Sequence, residues 1–211
     1  MVAENKVKRR AGIKKNILIL RIIKPWSMRN LILRLNGVYP IDDVITELLE
    51  NRLREKLFKE GEFLAREGQI CRYLYYIEKG IVSHYSTRLA GNVTHRILWE
   101  NDIVTSVESF FQQIPSRENI VTHENTLVKY ITYQDWAETF QKSDSWKFIT
   151  DRVKTEYYSK LGEHDRLKST LSHEELIKHI LGKNPELLKR VGRDTFASWL
   201  GMTTKTLNKY I

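Results

Sequence analysis

The chain has 211 residues, of which 41% are apolar, and a formal net charge of +9. That apolar share supports a packed core and excludes global disorder, and the length suits two small domains or one large one. The one cysteine, Cys71, excludes an intrachain disulfide, a four-cysteine zinc site and a four-cysteine iron–sulfur cluster, and it fits a reducing cytoplasm as the expected location.

The positive charge is unevenly placed. Residues 1–27 contain eight basic side chains and one acid, Glu4, a net of +7, so the remaining 184 residues carry only +2. An anionic partner of the main body must therefore be met locally. The run Ile17 to Ile23 follows basic residues as a signal peptide would. Arg21 interrupts it, no small-residue cleavage site follows, and it is too short to span a membrane. Two readings of 1–27 stand: an upstream extension with Met28 as the natural start, or a basic arm touching DNA phosphates or a membrane.

From Ile41 to Leu57 the apolar residues Ile41, Val44, Ile45, Leu48, Leu49, Leu53 and Leu57 recur at helical spacing, and Asp42 and Asp43 stand where a helix start favours acids. This predicts a short amphipathic helix. Between Phe58 and Tyr133 glycines 61, 68, 80 and 91 punctuate runs rich in β-formers, Tyr73–Ile77 and Ile81–Tyr85 among them. Ala90-Gly91-Asn92 reads as a hairpin turn leading into Val93–Trp99. Several short strands at this spacing predict an all-β barrel or roll.

After Tyr133 the helical period returns. Trp146, Ile149, Val153, Tyr157, Leu161, His164, Leu167 and Leu171 advance by three or four, which predicts one long helix with a continuous apolar stripe. The stripe can pack on the chain's own β-domain or pair with a second copy. Ser172, with Glu175 three residues on, has capping-box spacing for a further helix, which Gly182-Lys183-Asn184-Pro185 ends.

The segment from Gly192 to Ile211 reads as a helix-turn-helix. Ala197 supplies a small residue where two helices cross, Gly201 tolerates a left-handed turn, and Thr203 can cap the second helix. Phe196, Leu200, Met202, Leu207 and Tyr210 are expected to face inward. Arg193, Thr203, Thr204, Lys205, Asn208 and Lys209 are the expected DNA-binding residues, with donors suited to phosphates and base edges in a major groove. An ordinary αα-hairpin, or a pair used for protein contact, would satisfy the same spacing.

The order β-roll, long helix, helix-turn-helix resembles the catabolite activator / Fnr (Crp/Fnr) family of bacterial transcription regulators, and is closest to its compact, Bacteroidetes-type members. The residues carrying the resemblance are Lys59–Leu64, Arg66-Glu67-Gly68, Tyr73–Gly80, Glu108-Ser109-Phe110, Pro115-Ser116-Arg117 and the terminal motif. The resemblance implies an α+β chain: a double-stranded, jelly-roll-like cyclic-nucleotide-binding fold over 28–143, a dimerisation helix over 144–170 and a DNA-binding helix-turn-helix over 171–211. It also implies a homodimer on double-stranded DNA, with RNA polymerase a further candidate partner and no membrane partner.

The phosphate cassette departs from the family's pattern. Relatives that bind nucleotide carry a glycine and a glutamate before a short helix, then an arginine. Thr105 and Ser106 stand at the first two positions, and Arg117 at the third. Losing a charged acceptor for a ribose hydroxyl weakens binding by about 1.5–3 kcal/mol, so cyclic AMP is not the expected ligand. Ser106, Val107, Glu108, Ser109, Arg117 and Glu118 remain candidates for binding an unidentified small-molecule effector; no cofactor is specified. Arg117 has two open roles, binding some other anion or pairing internally with Glu108 or Glu118.

The recognition helix departs as well. Thr204, Lys205 and Lys209 stand where relatives often carry Arg and Glu, so an operator sequence cannot be carried over. The chain ends at Ile211 with no winged hairpin, from which weaker DNA binding than in longer relatives is expected. Catalysis is not expected. The six histidines are scattered (His84 and His95 could meet across a hairpin), and no nucleophile elbow, phosphate loop or HExxH motif occurs. The alternative to a DNA-binding regulator is a ligand-sensing module that acts through protein contacts and keeps a vestigial DNA element.

Overall fold

The computed structural model describes residues 28–89 and 91–211. The readings of 1–27, and the Ala90 position of the hairpin turn, lie outside those residues. The described chain divides into two compact units, one formed by residues up to Leu53 together with Gln134–Arg152, the other by Arg54–Tyr133 together with Val153–Ile211.

In the first unit, helix α1 (Arg29–Val38) buries Leu31, Ile32 and Leu35 on one face. Helix α2 (Asp43–Asn51) starts on Asp42, whose carboxylate accepts from the Ile45 amide, the N-cap that the two aspartates foreshadow. Helix α4 (Tyr133–Lys142) and the start of α5 (Asp144–Thr170) complete it. The expected helix over 41–57 is shorter than its apolar spacing suggests. It ends at Asn51, Arg54–Phe58 form strand β1, and Leu57 is exposed. Positions 53 and 57 satisfy a helical step by coincidence; pairing with β8 (Thr126–Thr132) takes that segment into a sheet.

The second unit contains the β-roll. One antiparallel sheet has the order β1-β8-β3-β6, with β3 at Tyr73–Lys79 and β6 at Ile103–Val104; the other has the order β2-β7-β4-β5, with β2 at Phe63–Ala65, β4 at Val82–Arg88, β5 at Gly91–Leu98 and β7 at Asn119–Thr122. Ile77, Ile81, Val82, Val104, Ile120 and Val128 are wholly or almost wholly enclosed. Gly80 links β3 to β4 with φ +115, and a Cβ there would lie 2.7 Å from Thr126 Cα. Only glycine fits both the dihedral and the close approach.

Val82, Ser83 and His84 are consecutive and all buried, because both faces of β4 are covered. Ile81 and Ile97 share a hydrophobic core with Leu176, Leu187, Phe196, Trp199 and Leu207 from the C-terminal helices. Those helices are α6 (His173–Lys183), α7 (Leu187–Val191), α8 (Arg193–Leu200) and α9 (Thr204–Leu207). The capping box of Ser172 and Glu175 is present, and Asn184 follows the last residue of α6. The long helix stops at Thr170, so Leu171 lies beyond it.

Candidate functional site

The two terminal helices meet as their sequence requires. Ala197 is 1% exposed. Gly201 takes the left-handed conformation, φ 74 and ψ 27, and the Thr203 side chain accepts from the Thr206 amide to cap α9. Phe196, Leu200 and Leu207 are buried and Met202 packs against them. Tyr210 departs from the inward position expected of it: it is 43% exposed, because α9 ends at Leu207 and the last residues leave the helical phase.

The six expected DNA-binding residues separate into two groups. Thr204 donates to Asp194 at 2.7 Å, and an Arg193 Nη donates to Asn208 Oδ1. The Thr203 hydroxyl is engaged with Thr206. The Thr204–Asp194 and Arg193–Asn208 bonds lock the first helix to the second, while the Thr203 bond caps the second helix locally. Lys205 and Lys209 are exposed and extend from the pair as the two cations of α9 and its end. Asp194, the partner of Thr204, is marked in the sequence by its place in the first turn of α8.

On its other side α8 is docked on the roll. Ser198 accepts from the Thr94 amide at 2.9 Å and donates to Asn92 O. The Trp199 indole lies flat on His164 of α5, with centroids 4.4 Å apart and planes within 5°, and Trp199 O meets His164 Nε2 at 3.0 Å. Burial holds the His164 imidazole below its ordinary pKa, partly offset by that carbonyl. Within the second unit the stripe of α5 is thus occupied by its own chain, through Tyr157, His164 and Leu167.

The cassette lies around helix α3 (Val107–Gln112). Ser106 is its N-cap residue, 3% exposed, and its hydroxyl accepts from Ser116. The Thr105 hydroxyl donates to Tyr73 O and touches the Cys71 sulfur at 3.3 Å. Ser109 accepts from the Cys71 amide and donates to Ile114 O, so its one donor hydrogen is already used. Val107 is half-buried and Glu108 exposed. Arg117, 82% exposed at its side chain, forms a surface ion pair with Glu108 at 3.8 Å, one of the two internal pairings expected of it. The pairing with Glu118 does not form.

Glu118 instead meets His84 at 3.2 Å. Burial by itself would raise the Glu118 carboxyl, but the charge and hydrogen bond of His84 and the bond from Ser106 bring it below the ordinary carboxylate range. His84 is fully enclosed and its Nε2 has no partner. Across the ladder His84 pairs with Arg96, because a bulge sets His95 out of register; His95 bonds Ser86 instead. Arg96 lies over the Tyr157 ring at 3.7 Å. Burial lowers the Arg96 pKa, and Nη1 has no partner. Arg96 is a buried guanidinium that no local pattern marks, and the charge of Glu118 acts on it without forming an ion pair. Among the described residues no cluster of His, Cys, Asp or Glu could hold a metal ion, and no helix is long and apolar enough to cross a membrane.

Residues 55–143 match the cyclic nucleotide-binding domain family. No curated protein matches the chain by sequence. Among solved structures, FixK2 of Bradyrhizobium japonicum is 16% identical, with a TM-score of 0.63 over 75% of this chain and 82% of that one. A Crp/Fnr-family transcriptional regulator of Eubacterium rectale is 15% identical, with a TM-score of 0.67 over 81% and 82%. The regulator CLP of Xanthomonas campestris, described as c-di-GMP responsive, is 17% identical, with a TM-score of 0.61 over 79% and 88%. Residues 55–143 thus match the cyclic nucleotide-binding domain family, and the fold that carries them is similar to that of these three solved structures.

Proposed function

We propose that this protein is a Crp/Fnr-type transcription regulator that binds double-stranded DNA as a homodimer through α8 and α9. The observation that carries the reading is the locked helix pair. Ala197, Gly201 and the Thr203 cap fix the crossing, and the Thr204–Asp194 and Arg193–Asn208 bonds stiffen it. Lys205 on α9 and Lys209 just past its end are left exposed as phosphate- or guanine-binding point charges. Two copies would place α9 in successive major grooves roughly 34 Å apart.

The test is selection of duplexes from genomic DNA by the full chain, followed by anisotropy titration of a selected duplex over a range of salt. Binding should fall steeply with salt, and Lys205→Ala with Lys209→Ala should reduce the logarithmic slope by about two. No enrichment of duplex, with the dimer intact, would reject DNA binding. It would favour the second reading, a sensor acting through protein contacts, which the single-turn length of α9 and the docking of α8 on β5 support.

The effector reading follows from the cassette. Ser106 is enclosed and engaged, Arg117 faces solvent, and the buried Glu118 carboxylate opposes a cyclic phosphate at close range. Cyclic AMP is accordingly not the effector. Calorimetry with cyclic AMP should give no saturable heat at micromolar concentrations; tight binding would overturn this.

A further inference from the structure

A cavity of about 320 Å³ lies where β5, α5, α6 and α8 come together. Its size is at the small end of the range for ligand pockets. Trp99, Leu161, Leu167, Ile180 and Trp199 give it apolar and aromatic walls. Two of its polar members carry an unsatisfied atom. Arg96 is only 8% exposed and its Nη1 has no hydrogen-bond partner, and the enclosed Nε2 of His179 has none either. Unpaired donors in a dry setting are destabilising unless something accepts from them.

The charges lining the cavity are unequal. Arg96, Lys160 and Lys183 face Asp102 and Glu163, a formal excess of one cation. Lys160 already satisfies Asp102 at 3.1 Å, while Arg96 makes no ion pair.

We infer that this cavity binds a planar aromatic monoanion, a carboxylate on a one- or two-ring aromatic system. The carboxylate accepts from Arg96 Nη1 and His179 Nε2–H, and the ring fills the space between Trp99, Trp199 and the leucines. A guanidinium suits this acceptor because it presents a planar fork to a planar carboxylate. The site is separate from the cassette at α3, and because Trp199 belongs to α8, an occupant would touch the helix pair directly. Binding here does not depend on whether the chain binds DNA.

The experiment is isothermal titration of the full chain with 1-naphthoate, alongside the neutral 1-naphthylmethanol and the cationic 1-naphthylmethylamine. Naphthoate should saturate at one per chain and bind at least about tenfold more tightly than the alcohol, with the amine weakest. Arg96→Gln should abolish the preference for the acid, and Arg96→Lys should restore part of it. Leu161→Trp should fill the cavity and remove binding while leaving the thermal midpoint close to that of the parent. Equal binding of acid and alcohol, an acid preference that survives Arg96→Gln, or no saturable heat with millimolar naphthoate would each overturn the inference. The comparison of acid with alcohol uses the parent protein, so it stands even where a variant fails to fold.

Discussion

Arg190 grips Glu100 with both arms of its guanidinium, Nη1 to Oε2 at 3.0 Å and Nη2 to Oε1 at 2.7 Å. The same Nη2 reaches Glu124 at 2.6 Å. Arg190 lies in α7, Glu100 follows β5 and Glu124 follows β7, so one side chain ties a C-terminal helix to two turns of the roll. Its pKa is raised, chiefly by the hydrogen bonds it donates to Glu100 and Glu124. The Glu100 carboxylate also accepts from the Gly80 amide.

Arg190→Gln should therefore loosen α7 and strand two half-buried carboxylates. The expected cost is about 1–2 kcal/mol, between the values for exposed and buried pairs. Arg190→Lys should recover less than half, because an ammonium cannot grip two carboxylates in a fork. Hydrogen exchange should accelerate in α7 while the strands of the roll keep their protection. Uniform acceleration throughout the second unit would contradict this localised role.

The stack of His164 on Trp199 sets a pH dependence. Burial holds the folded-state imidazole neutral below its ordinary pKa, while the unfolded chain takes up a proton near 6.5. The folded state thus binds fewer protons between the two values, so this contribution is complete above about 6.5 and is lost as pH falls through the depressed folded value. His95 and His123 are depressed by burial in the same sense. Urea midpoints should fall between pH 7.5 and pH 5.5, and His164→Phe should make the fall shallower without removing it. An unchanged slope in that variant would assign the effect to the other two histidines.

Two glycines should respond oppositely to alanine. Gly80→Ala combines a positive φ with a clash against the Thr126 backbone and should cost about 2–4 kcal/mol. Gly162 lies in helix α5, and a Cβ there meets nothing within 4 Å. Gly162→Ala should raise stability by about 0.5–1 kcal/mol. Thermal melts of the two variants beside the parent decide both.

What could be read from the sequence was what is settled over a few residues. The Ser172–Glu175 box, the Gly201 turn and the Thr203 cap depend on neighbours three or four positions away, and each is present. Leu53 and Leu57 fit a helical step past the end of α2 at Asn51, and only pairing with β8, about seventy positions away, decides otherwise. In helix α1 the apolar positions Leu31, Ile32 and Leu35 fall at helical spacing and are buried. The interior of the roll was the least legible part. His84 with Glu118, and Arg96 with Tyr157, are brought together across 34 and 61 positions, and no spacing rule links them. The bulge that sets His95 aside and places Arg96 opposite His84 is likewise a property of the paired strands.

Strand β5 stands at the edge of its sheet, and α8 covers it through the bonds of Ser198 to Thr94 and Asn92. An uncovered edge is a template for further strands. Removing the C-terminal helices would therefore change more than nucleic-acid recognition: it would leave a roll prone to add a second roll edge to edge. In this chain the segment proposed to read DNA also serves as a guard against self-association, so truncations meant to isolate the sensing half would begin with a colloidal fault.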